Sequence, residues 1–297
     1  MESLYRTLLR GLLLTALAAP WGAHANTPPT AQGQTAGREN RIALVIGNNS
    51  YSIGSLKNPV SDARAVAGTL RDLGFQVVLK EDAGFQTMLG AIRDFSLHAK
   101  DSDVRLFYYA GHGMQVNGRN YLIPVDIQPA AEDDILARSV DLSELVNKLG
   151  LANSGLNIIV LDACRNNPFS NPTLVGTNGR LAKFRGLTHK GLAEVSAPAG
   201  TLVEFATAPG DIALDGGEAA HSLYTKHLLQ HIAVSGLPVE QVFKRVRIAV
   251  ARETNGRQMP WESSSLLGDF CFRKAANGQC PFEPGREDDN FGGRSQR

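Results

Sequence analysis

Two stretches decide how this chain folds: VRLFYYAGHG at residues 104–113 and LNIIVLDACR at residues 156–165. Each opens on a run of β-branched, aliphatic and aromatic residues, which is strand chemistry. Each then ends on small or reactive groups, Gly111-His112-Gly113 in one and Asp162-Ala163-Cys164-Arg165 in the other. The runs are apolar at consecutive positions rather than alternating. That pattern fits strands covered on both faces, as in the interior of a parallel sheet.

Outward from these two runs, strand and helix patterns alternate. Residues 42–46 (IALVI) and 75–79 (FQVVL) are further strands, and residues 202–206 give a fifth. Apolar residues at helical spacing mark helices over 62–73, 85–98, 140–149, 221–234 and 239–252. Val116-Asn117-Gly118-Arg119 reads as a hairpin turn, and residues 267–272 as an edge strand. Alternation of this kind predicts an α/β fold: a three-layer sandwich with a central, mostly parallel sheet of about six strands. In such sheets the ligand crevice lies beyond the carboxyl ends of the strands. Asn48 and Asn49, the Gly-His-Gly triplet and the Asp-Ala-Cys-Arg run all fall at that edge.

The chain has 297 residues, with 30 Lys and Arg against 29 Asp and Glu, a net charge of +1. That balance argues against a nucleic-acid partner, which selects a basic excess. With 43% apolar and 20% charged residues, bulk disorder is excluded. Residues 1–25 carry Arg6 and Arg10, then GLLLTALAA, then Ala23-His24-Ala25. A basic start, a short apolar run and an A-x-A site describe a cleaved secretory signal peptide. The run is shorter than the roughly 20 apolar residues of a membrane span, so the expectation is an exported, periplasmic or secreted chain with no stable span. Residues 26–40 read as a flexible leader and residues 274–297 as a tail, leaving one ordered domain over 41–273. The oligomeric state is not readable.

Three cysteines then matter, because an exported chain meets an oxidising compartment. Cys271 and Cys280 are close enough in sequence to close a small loop. Cys164 is left over, either a reactive thiol, an intermolecular bridge or a buried structural thiol. Histidine near a cysteine lowers the thiol pKa or takes its proton, and the thiolate is the nucleophile. Flanking glycines around His112 keep bulk away from a substrate. The N–H groups of Gly113 and Cys164 are candidate donors to an oxyanion.

The motifs RIALVIGNNSY, LKNPVSDA, FYYAGHGMQ and VLDACRNNP, followed by FATAPGDIALDG, HSLYTKHLL and PWESSSLLGDF, resemble the caspase-like cysteine peptidases, in the bacterial metacaspase-type branch. His112 and Cys164 stand about 50 positions apart, the separation that caspase signatures carry. The resemblance implies a cysteine endopeptidase over residues 41–273, with His112 as general base and acid, Cys164 as nucleophile and Gly113 in the oxyanion hole. It implies that Asp62 and Asp162 form an acidic floor that takes Arg or Lys, so the partners are polypeptides cut after a basic residue. The other reading of Asp62 is an acid at a helix N-terminus, and of Asp162 a strand-end residue bonding local backbone. Trp261 either walls the groove or packs in the core.

There are departures from the family pattern. Ala110 stands where many relatives have Ser two residues before the histidine. Asp126, Asp133 and Asp134 resemble part of a calcium-binding set, with Asn171 where a further acid is expected, so Ca2+ is possible and not required. These three acids also read as a solvated acidic loop. His227 and His231 share a helix face, but HLLQH lacks the metalloprotease glutamate and reads as an ordinary helix surface. Arg180, Lys183, Arg185 and Lys190 lie in a long loop-like stretch over 166–200, and the first three would suit self-cleavage. Two other functions stay open: an inactive caspase-like binding module, or another exported thiol hydrolase such as a cell-wall amidase.

Overall fold

The structure, a computed structural model, describes residues 39–52, 54–128, 132–151, 155–164, 192–209 and 219–280. The strands are β1 (Arg41–Gly47), β2 (Gln76–Glu81), β3 (Val104–Val116), β4 (Arg119–Leu122), β5 (Val140–Asp141), β6 (Leu156–Cys164), β7 (Thr201–Phe205) and β8 (Trp261–Ser264). The helices are α1 (Pro59–Asp72), α2 (Phe85–His98), α3 (Glu132–Ala137), α4 (Leu142–Gly150), α5 (Leu223–His231) and α6 (Val239–Glu253). The main sheet runs β2-β1-β3-β6-β7-β8. Its first five strands are parallel, and β8 joins β7 antiparallel. The expected α/β sandwich with a mostly parallel central sheet is the observed architecture.

Strand alternation sorts the core into two layers. Ala43, Val45, Leu106, Tyr108, Ile158, Val160 and Leu202 face α1, α5 and α6. Leu44, Ile46, Phe107, Tyr109, Ile159, Leu161, Val203 and Phe205 face α2 and α4. Both faces are covered, which is why these strands read as unbroken apolar runs. A smaller cluster of Tyr51, Met114, Val116, Tyr121, Ile123, Ile127 and Ile135 sits beyond the sheet's end.

Two local features set the site. Gly47 ends β1 directly against the start of α1: a Cβ there would lie 2.4 Å from the Pro59 carbonyl oxygen and 2.6 Å from Ala63 Cβ. This close approach holds the first turn of α1, which carries Asp62, over the end of the sheet. Next, β3 continues past β1 and folds back on β4 through Asn117 and Gly118, with φ of 49° and 78°. Two successive positive φ values are what a two-residue hairpin of this hand needs.

Several boundaries differ from the sequence reading. The residue 140–149 segment is not all helix: Val140 and Asp141 pair with β4, and Asp141 then caps α4 by accepting the Ser143 N–H at 2.8 Å. Residues 267–272 are not an edge strand. They make only isolated bridges, such as Pro238 with Cys271, and the edge is β8. Phe270 and Phe272 are buried in the core instead, with ring centroids 5.2 Å apart. The helix α3 was not expected. Cys271 and Cys280 form a disulfide with Cα atoms 5.6 Å apart. Among the described residues no helix is long and apolar enough to cross a membrane. The signal-peptide reading, the leader up to residue 38 and the basic-loop residues Arg180, Lys183, Arg185 and Lys190 fall outside the described residues.

Candidate active site

The Asp-Ala-Cys run ends β6, and the Gly-His-Gly run lies within β3, where its pairing with β6 stops. In the parallel register of β3 and β6, His112 pairs with Cys164 and Ala110 with Asp162. Adjacent strands lie about 4.8 Å apart, so the backbones of His112 and Cys164 are immediate neighbours.

Hydrogen bonds fix which way the backbone of β3 points. The His112 N–H donates to Tyr51 Oη at 2.9 Å, and the His112 carbonyl accepts from the Ile123 N–H at 3.0 Å and from Tyr109 Oη at 2.8 Å. The Ala110 carbonyl accepts from the Asn48 N–H. Even-numbered residues here face β1 and β4. By alternation along the strand, the amide edges of Gly111 and Gly113 face β6, which ends at Cys164.

The imidazole of His112 is buried, its ring centroid 4.4 Å from that of Tyr51. Its Nε2 lies 2.5 Å from the Gly54 carbonyl oxygen. A carbonyl only accepts, so Nε2 carries the proton and Nδ1 keeps a lone pair. Nδ1 is buried with no hydrogen-bond partner among the described residues. Burial holds the imidazole below its ordinary value of 6.5, and the Gly54 carbonyl opposes that shift. The ring is therefore neutral at pH 7, with an open acceptor.

Asp62 and Asp162 meet at the N-terminus of α5. Asp62 is 1% exposed and Asp162 7%. Asp62 accepts from His221 Nδ1 at 2.8 Å and from the Ser222 N–H at 3.2 Å. Asp162 Oδ2 accepts from Ser222 Oγ at 2.5 Å and from Thr225 Oγ1 at 2.7 Å. With the Thr225 proton so used, the 2.6 Å contact with Tyr108 Oη must be donated by the tyrosine. Ser222 is thus shared by two carboxylates, and Asp62 is a first-turn acid of α1. His221, Ser222 and Gly54 were missed in the sequence. A histidine and serine just before a helical run were read only as its first residues.

The remaining expected residues are placed as follows. Trp261 opens β8, opposite Phe205, and is 42% exposed, so it is not a core residue. Asp126 Oδ1 accepts the Phe85 N–H at the start of α2, whereas Asp133 and Asp134 belong to α3. Among the described residues no group of three or more His, Cys, Asp or Glu is arranged to hold a metal ion. His227 bonds Glu253 at 2.8 Å through Nε2 and Gln230 at 3.0 Å through Nδ1, so it serves helix packing. Asn48 is also structural, buried and bonded to the Ala83 N–H and to the Ile123 carbonyl.

A mostly parallel sheet covered by helices on both faces, with a histidine and a cysteine in register on its two central strands, defines the class as an α/β sandwich. The caspase domain family matches residues 40–271, and the chain belongs to it. Among known proteins it is similar to the mouse mucosa-associated lymphoid tissue lymphoma translocation protein 1 homolog, 33% identical over 129 residues, 43% of this chain and 15% of that one. The human mucosa-associated lymphoid tissue lymphoma translocation protein 1 is 32% identical over the same length and shares. The chain thus matches only a small part of these relatives' length.

Proposed function

We propose that this chain is an exported cysteine endopeptidase that cuts polypeptides after Arg or Lys. The observation that carries the reading is the register pair His112–Cys164, together with an imidazole whose Nε2–H is committed to Gly54 and whose Nδ1 is open. The Cys271–Cys280 disulfide and the leader-like start support export to an oxidising compartment.

In this reading Nδ1 of His112 takes the Cys164 thiol proton and the sulfur attacks the scissile carbonyl carbon. The resulting oxyanion is held by the N–H groups of Gly113 and Cys164. The Gly113 N–H faces β6 at the last paired position, so an oxyanion there competes with the final rung of the β3–β6 ladder. His112 then returns the proton to the leaving nitrogen, the C–N bond breaks and a thioester remains. Water, deprotonated by the same Nδ1, hydrolyses the thioester and restores the thiol. Asp62 and Asp162 attract a basic side chain before the cut and repel an acidic one. Trp261 walls the groove.

The test is cleavage of fluorogenic peptides ending in Arg, Lys or Asp, with calcium and with a chelator, by wild type, Cys164→Ala and His112→Ala. Cleavage after Arg and Lys, absent in both variants, is expected. Undiminished turnover in Cys164→Ala, or a preference for Asp, overturns the proposal. A silent wild type points to a binding module, and release of peptidoglycan fragments instead of peptides points to a cell-wall amidase.

A further inference from the structure

We infer that His221 is a specificity-determining gate on the acidic pocket: its imidazole is a resident partner of Asp62 and must leave before a substrate's basic side chain can take its place on that carboxylate. This rests on the pocket reading above and goes one step beyond it.

Three observations carry it. First, both carboxylates are nearly closed to solvent, and of their partners Ser222 and Thr225 are buried while the His221 side chain is 30% exposed. Of these three partners, His221 is the one that solvent reaches most. Second, His221 is held in place from outside its own side chain. Ser61 Oγ, on α1, donates to the Ala220 carbonyl at 2.8 Å, and the Ser222 N–H next door donates to Asp62 itself. Third, the Nδ1–Asp62 contact, at 2.8 Å, is what a guanidinium or ammonium nitrogen would make there. The imidazole is a built-in mimic of the ligand.

Among the described residues, the titratable groups around it include Asp62 from α1, Asp162 from β6, Tyr108 from β3 and Tyr224 from α5. Tyr108 feels both carboxylates, and burial together with them holds its phenol well above its ordinary value of 10.0. Tyr224 is held up likewise, first by burial. Both phenols are neutral across the working range. An incoming cation must displace the imidazole from Asp62, and the imidazole then loses that carboxylate partner.

Benzamidine binding separates the possibilities. It is measured by calorimetry on the Cys164→Ala chain, with and without His221→Gln. The expected result is that His221→Gln tightens benzamidine binding about 5-fold or more, as loss of a competing occupant requires. His221→Asn, with a shorter neutral side chain, should behave as Gln does. In the active chain the same change should lower KM for an Arg peptide with little change in kcat. Equal affinity with and without His221 overturns the gate while leaving the pocket intact. Failure of benzamidine to bind either form, or binding unchanged by Asp162→Asn, overturns the pocket reading itself.

Discussion

At the scale of single residues, the geometry of His112 depends on two tyrosine hydroxyls. Tyr51 Oη takes its N–H and donates onward to the Ile123 carbonyl at 3.1 Å, while Tyr109 Oη donates to its carbonyl. The hydroxyls fit only because residue 111 is glycine. A Cβ there would lie 2.6 Å from Tyr51 Oη and 2.7 Å from Tyr109 Oη, at a φ of 155°. Tyr51→Phe leaves the buried His112 N–H unpaired, which costs about 1–3 kcal/mol. The expected outcome is a lower melting temperature and a fall in kcat larger than any change in KM. Equal kinetics in Tyr51→Phe would show that the hydroxyl does not position the base. A second consequence concerns pH. Burial lowers the His112 imidazole, so the neutral, proton-accepting ring persists into acid. The acid limb of kcat/KM should have its midpoint below 6.5, and a midpoint above that value would mean that burial does not govern the base.

At the scale of elements, the fold was legible wherever periodicity is local. The residue 85–98 helix was read with its observed ends, because Met88, Ile92 and Phe95 repeat at helical spacing and Gly84 precedes them. Strand β3 was read short, because Gly111-His112-Gly113 carries no strand propensity and is held extended by pairing with β4 and β6. The acidic cluster was legible as residue types but not as contacts. Ser222 reaches Asp62 and Asp162 across 160 and 60 positions, and no local signal encodes that distance. Strand β8 hid for a related reason: WESS alternates only briefly, and its place is set by β7. That pairing puts Glu204 opposite Glu262. Burial first, then the Glu262 charge, hold the Glu204 carboxyl well above its ordinary 4.5. Unfolded, this group loses its proton near 4.5; folded, it keeps it to higher pH. Through that window the folded state holds more protons, so its contribution to stability falls as pH rises above 4.5. Glu204→Gln should therefore melt higher than wild type at pH 8, by at least ~2 °C, with the gap closing towards pH 4.5. A gap independent of pH would show that Glu204 is not the titrating group.

At the scale of the whole molecule, the question is what binds the first strand to the segment that carries Phe270 and Phe272, since the core needs both. Arg41, at the start of β1, is 9% exposed, and its Nη1 donates to the Leu73 carbonyl at 3.2 Å and to the Phe272 carbonyl at 2.7 Å. Its guanidinium also lies 5.6 Å from the Phe75 ring centroid and 5.0 Å from that of Phe270. Glu39 supplies the countercharge. One planar cation thus joins β1, the turn after α1 and the segment that carries Phe270 and Phe272, none of which are neighbours in sequence. Arg41→Ala removes the donors to two carbonyls and two cation–π contacts at once. Its cost should be roughly 2–4 kcal/mol, the scale of a lost buried charged group with its partners left behind. Arg41→Lys keeps the charge but not the fork, and should recover less than half of that loss. Reducing the Cys271–Cys280 bond tests the same region from the other side. It closes a loop of 9 positions, for which chain entropy gives about 2–3 kcal/mol. If Arg41 is the main tie, wild type with its disulfide reduced unfolds at higher denaturant than oxidised Arg41→Ala, while both retain the same slope. The reverse order would place the closure of the fold in the disulfide rather than in the first residue of the sheet.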